Sequence, residues 1–164
     1  MRYSPPDTLE DLKTLLFAYP DMLDRVKELR LSIIQTQQEA NADLEISSLI
    51  NDGMPRVTDI SDPTAKKAII AERHHARISR LLENIALITE IRYNVCDAMN
   101  HLTSDENNII KARYFDELAW RKVAKQVLLC RNNCVAIHDI ALNKLFAILK
   151  NKKAKTNQNE PNNA

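Results

Sequence analysis

Two short groups of polar side chains near the C-terminus have the types and spacing needed to hold a nucleic acid. Lys122, Lys125 and Gln126 stand at i, i+3 and i+4, so on a helix they share one face. Ammonium and amide groups in that arrangement can hold sugar-phosphate oxygens, which sets register without reading bases. After four intervening residues come Arg131, Asn132 and Asn133. Arginine pairs bidentately with guanine and asparagine with adenine, so these are candidate base readers. Val135 and Ala136 could meet a thymine methyl, whereas Asp139 would repel phosphate. The competing explanation for the lysines is an ordinary solvated helix face.

Other candidate clusters are weaker. Cys130, Cys134 and His138 recur at i, i+4 and i+8, which is half a metal site, a redox pair or simple core packing. A fourth ligand is missing and the spacing is not that of a zinc finger. His74 and His75 lack an H-E-x-x-H frame. Arg73, Arg77 and Arg80 lie along one helix face and either meet phosphate or form a solvated face with Glu72 and Glu83. Arg56 is a loop arginine with the same two explanations. The single glycine, Gly53, excludes the glycine-rich phosphate loops. With no nucleophile, base and orienter set and no paired carboxylates in a plausible cleft, an enzyme is not expected. Neither a cofactor nor a metal is expected.

The net charge of +1 is the sum of two unequal halves. Residues 1–102 carry 12 basic and 16 acidic side chains, and residues 103–155 carry 11 basic and 5 acidic. The basic half is either a polyanion-binding face or a chance cluster with a lysine-rich tail. No apolar run reaches the roughly 18 residues that span a bilayer, and the N-terminal residues lack a secretory pattern. Three cysteines without a scaffold layout agree with a reducing compartment. The expectation is a cytoplasmic protein with no membrane partner.

The elements that must position the polar groups are helices. One glycine in 164 residues leaves few sites for tight hairpin turns, so the fold expected is all-α. Thr103 and Glu106 form a capping box that opens a helix over Asn107–Phe115. After a break at Asp116-Glu117, Val123, Ala124 and Val127 give the next helix an apolar face, and Leu129 fills a turn. Cys134, Ile137, Ala141 and Leu145 then recur at 3-4-4 spacing. Two short helices joined this tightly, with small Ala124 at the crossing, have helix-turn-helix geometry, which offers the start of the second helix to the major groove.

Upstream, Asp7 and Glu10 predict a helix start, and Tyr19-Pro20 predicts a break. Met22, Val26, Leu29, Ile33, Thr36 and Ala40 are spaced 4-3-4-3-4. The pattern fades from Asn41 to Ser61, where turn formers predict a connection. Asp62-Pro63 predicts the start of a long helix reaching about His101, with a stripe from Ile78 to Leu102. At roughly 55–60 Å, that helix is too long to bury its stripe alone. An antiparallel hairpin that self-associates is expected, with a monomeric three-helix bundle as the alternative. The organisation expected is therefore a helical arm over residues 1–102, a helix-turn-helix domain over 103–150 and a disordered polar tail over 151–164.

The stretch LTSDENNIIKARYFDELAWRKVAKQVLLCRNNCVAIHDIALNKL resembles region 4 of sigma-70-type factors. The matching positions are Arg113-Tyr114-Phe115, Val123-Ala124, Val127, Leu129, Cys134, Ile137, Ala141-Leu142 and Leu145. With the helical arm and the Gly53-Met54-Pro55 and Ser61-Asp62-Pro63-Thr64 loop, the chain looks like the phage-encoded regulators of the RinA and ArpU kind. These are found in phages and prophages of low-GC Gram-positive bacteria. The resemblance implies a transcription regulator that binds double-stranded promoter DNA and has RNA polymerase as a further candidate partner. A module that docks polymerase or another regulator without reading DNA is the alternative. Two positions depart from the pattern. Leu128 stands at the turn glycine, and Cys130 stands where Ser or Thr caps the recognition helix.

Overall fold

A computed structural model describes residues 6–49 and 63–158. Among these residues every regular element is a helix. They are α1 (Leu9–Ala18), α2 (Met22–Leu49), α3 (Pro63–Met99), α4 (Ser104–Ile110), a π-helical turn (Lys111–Phe115), α5 (Trp120–Gln126) and α6 (Arg131–Gln158). None is long and apolar enough to cross a membrane.

Local chemistry explains most boundaries. The capping box of α1 is Thr8 with Asp11, one residue later than Asp7 with Glu10. The Asp11 amide donates to Thr8 Oγ1, and the Thr8 amide donates to the Asp11 carboxylate at 2.9 Å. A hydroxyl can accept from the helix and donate as well, and Thr8 Oγ1 also donates to Asp11. Glu10 instead pairs with Lys13 at 2.6 Å. Helix α1 stops at Ala18, before Pro20. Helix α2 continues to Leu49, well into the stretch where the apolar period fades. Its Thr36 is fully buried, and the hydroxyl donates back to the Ser32 carbonyl at 2.8 Å. Helix α3 begins at Pro63. Residues 50–62, with the connecting loop, Arg56 and the Asp62 cap, lie outside the described residues.

The capping box at Thr103 and Glu106 closes as the sequence indicates, at 3.4 Å and 2.9 Å. Beyond it, the expected single helix divides. Lys111–Phe115 is π-helical, and the Asp116 amide donates to the Lys111 carbonyl at 3.0 Å. Glu117 at φ 52 then turns the chain, and the Leu118 amide closes on the Ala112 carbonyl at 2.9 Å.

The described chain folds as two compact units, residues up to Leu23 with Leu87 onward, and Asp24–Ala86. This division differs from an arm over 1–102. Helix α1 belongs with the C-terminal helices, because a ten-residue helix cannot stand alone and its stripe Leu12, Leu15 and Leu16 is buried in that unit. Phe17 meets Tyr114 edge-on at 4.7 Å, and Tyr19 stacks on Phe115 at 4.8 Å. Ile88, Ile91, Val95 and Met99 of α3 are buried in the same unit. In the Asp24–Ala86 unit, His74 bonds Asp43 at 2.9 Å and Arg77 reaches Glu39 at 3.4 Å. As one residue number rises the other falls, so α2 and α3 run antiparallel there.

The start of the polar tail is helical among the described residues. Helix α6 passes Lys150 and continues to Gln158, so residues 151–158 are helical where disorder was expected. Lysine and alanine propagate a helix well once it is nucleated, lysines near a C-terminus suit its dipole, and Lys152 bonds Asp97 of α3. Residues 159–164 lie outside the described residues.

Candidate nucleic-acid interface

A small core fixes α5 and the start of α6. Ile109, Ala112, Val123, Ala124 and Cys134 are buried together, with Leu118, Trp120, Val127, Leu129 and Ile137 packed around them. Burying Val123 completely stabilises the unit by roughly 1.5–3 kcal/mol. Ala124 presents only a methyl, so the two helices can approach closely.

The four residues 127–130 make the connection. Leu128 sits at φ 55, the left-handed conformation that glycine takes without penalty. The Leu129 amide then reaches back to the Ala124 carbonyl at 3.0 Å. That bond and the packing of Leu129 beside Ala124 are the closing features of a Schellman C-cap. The Cys130 carbonyl accepts the first bond of α6, from the Cys134 amide at 3.0 Å. The turn is thus built as a glycine turn with leucine in the glycine place.

Outside this core, Lys122, Lys125 and Gln126 are exposed on α5, and Arg131, Asn132 and Asn133 are exposed on the first turn of α6. Ala136 is exposed, and Val135 is half-buried. The candidate residues therefore lie on two consecutive helices held by one core, with their polar ends in solvent. Asp139 is 65% exposed at its side chain.

Behind α6 lies a buried polar cluster. His138 is 6% exposed. Its Nε2 pairs with the Tyr114 hydroxyl at 3.0 Å and its Nδ1 with Asp139 at 2.9 Å. Trp120 meets the imidazole edge-on at 4.9 Å. Burial holds the His138 pKa below its ordinary value against the raising effect of Asp139. Burial also pushes the Tyr114 hydroxyl up to about 12 and raises the Cys134 thiol. Arg113 donates to the Leu118 carbonyl at 3.0 Å and lies over the Trp120 and Phe17 rings, which ties the entry of α5 to α1. Glu106, 5% exposed, accepts from Lys144 of α6 at 2.5 Å. That bond is the main reason its carboxyl is held below the usual range.

Comparison with family models, with curated proteins and with solved structures finds no match.

Cys130, Cys134 and His138 do not form a common open site. Cys130 is exposed and Cys134 is buried, and both His138 nitrogens are already paired. The Tyr114–His138–Asp139 link was missed by spacing arguments. Its signal was present, since His138 stands four residues after Cys134 and three before Ala141 on the inward stripe, where a polar side chain needs partners. Arg73 and Arg80 are exposed on α3, and Arg77 is committed to Glu39.

Proposed function

We propose that the chain is a DNA-binding transcription regulator of phage or prophage type. On this proposal α5 and α6 act as a helix-turn-helix of the sigma region 4-like kind. What supports it is the combination of a glycine-type turn between two helices on one small core and an outer surface of Lys122, Lys125, Gln126, Arg131, Asn132 and Asn133. The lysines, Gln126 and Arg131 hold the backbone, and Asn132 and Asn133 on the first turn of α6 meet base edges. The protein binds and does not catalyse. Fluorescence anisotropy on duplex DNA at two salt concentrations tests this. Replacing Lys122 or Lys125 with alanine should weaken all duplexes alike and lower the salt slope by about one for each phosphate no longer held. Parent-like binding by every variant would rule out this face.

In the Asp24–Ala86 unit Leu31, Ile34, Ile69 and Leu82 are each at least half exposed. Among the described residues of this unit there are two helices and no third layer over them, which supports self-association through this arm. Sedimentation equilibrium should give more than the monomer mass, and the paired change Leu31→Lys with Ile34→Lys should lower it without loss of helix. A monomer at all concentrations refutes it.

A second proposal is favoured by Leu128, which is 91% exposed although it is apolar and left-handed. There the module docks RNA polymerase or another regulator through its turn, without reading DNA. Salt-insensitive binding of protein with no binding of duplex would select it.

A further inference from the structure

The outward side chains of α6 are unusual for a groove-facing helix. Asn132, Asn133, Ala136, Ile140 and Asn143 are all exposed, and Ile140 keeps 52% of its surface. At about 100° per residue they fall within about 100° of the helix circumference. Over residues 132–143 the stripe contains neither arginine nor lysine, and Lys150 falls on the same line only about two turns further on. Arg131 lies about 100° outside it, at the helix start. Lys144, at its other border, is bonded to Glu106 of α4 at 2.5 Å. Asp139 on the near border accepts from His138. Asn143 Nδ2 already donates to the Asp139 carbonyl at 2.9 Å, which leaves Asn132 and Asn133 as the outward amides.

This composition has a direct meaning in the major groove. Guanine is read there chiefly by arginine or lysine on N7 and O6, adenine by asparagine or glutamine on N6 and N7, and thymine by apolar contact with its methyl. We infer that the half-site read by α6 is A·T-rich, with Asn132 and Asn133 on adenines and Ala136 and Ile140 against thymine methyls. The inference rests on the DNA-binding proposal above and adds base identity to it. Arg131, off the stripe, holds phosphate. The lysines of α5 contribute affinity without sequence, so specificity falls to two amides and two apolar side chains.

The test uses the full chain and a pool of random-sequence duplexes, bound at low salt, recovered and sequenced. The expected result is a run of A·T pairs. Base analogues then ask how the run is read. Replacing its A·T pairs with inosine·cytosine keeps the minor-groove pattern and changes the major-groove pattern. It should weaken binding roughly 5- to 100-fold for each bidentate pair broken. Deoxyuridine in place of thymidine removes only the methyl and should cost about fourfold. Asn132→Ala and Asn133→Ala should each weaken the preference for the A·T run, and what remains should still respond to deoxyuridine. Three results would overturn the inference while leaving DNA binding standing. These are a G·C-rich selected run, an A·T-rich run indifferent to inosine·cytosine, and a preference unchanged in both asparagine variants. Absence of duplex binding at any salt would overturn both.

Discussion

Replacing Leu128 with glycine should make the protein more stable. At φ 55 the leucine Cβ crowds its own carbonyl, which costs about 1–2 kcal/mol relative to a residue without a Cβ. Glycine loses about 0.5–1 kcal/mol of that through its freer unfolded chain. The leucine side chain is 91% exposed, so its removal sacrifices almost no buried area. The net gain lies between about 0 and about 1.5 kcal/mol, centred near about 0.75 kcal/mol. For a chain of this size that is up to about 6 °C in Tm. Leu128→Ala is the control, since it trims the side chain but keeps the Cβ, and should stay within about 0.5 kcal/mol of the parent. Urea and thermal unfolding followed by circular dichroism give the comparison. If glycine is no better than alanine, backbone strain at this turn is not what the leucine adds. If alanine is clearly worse than the parent, the leucine side chain is engaged.

His138 should make stability depend on pH. Its folded pKa lies below the unfolded value of 6.5, so its contribution is complete above about 6.5 and is lost as pH falls through the folded value. His138→Phe should flatten that slope in urea midpoints taken between pH 7.5 and pH 5, and an unchanged slope would assign the effect elsewhere. Thr103→Ala removes the hydroxyl that caps α4 and should cost about 1 kcal/mol by the same assay; no change would mean that solvent caps the helix as well. Glu106 carries a lowered pKa because Lys144 donates to it, so it stabilises above the carboxylate range and less as acid protonates it. Glu106→Gln keeps a carbonyl oxygen for the capping box but removes the charge that Lys144 pairs with, so it should lower stability at neutral pH and flatten the acid dependence.

What was legible in the sequence was whatever local physics decides. The 3-4 spacing of Met22, Val26 and Leu29, the break at Pro20, the start at Pro63 and the Thr103 box each act over a turn or two, and each is found in place. What was not legible was the choice of partner. The α1 stripe says that Leu12, Leu15 and Leu16 will be buried, but not against which helices. Aromatic contacts to Tyr114 and Phe115, nearly a hundred residues away, decide that. Lysine-rich residues after Lys150 carry no apolar stripe and so read as coil, although they extend a helix already begun. The π-helical turn left no periodic mark over five residues. Exposure of Lys122, Lys125, Gln126 and Arg131–Asn133 follows directly from the apolar residues beside them, whereas the two partners of His138 required the fold.

The placement of α1 also has a consequence in time. Its buried stripe is completed by α6 and the π-helical turn, and the whole Asp24–Ala86 unit lies between them in the chain. During synthesis at about 5–20 residues per second, α1 is made roughly 6–25 s before the start of α6 exists. Over that interval Leu12, Leu15 and Leu16 lack the cover that α6 supplies, while both helical segments of the Asp24–Ala86 unit have already been made and can pair. The hairpin can therefore form first as a local unit, and closure of the other unit must wait for the distant C-terminal segment. A chain interrupted before Arg131 would hold a formed hairpin and an adhesive first helix, so premature termination is expected to yield an aggregation-prone product rather than a shorter folded protein.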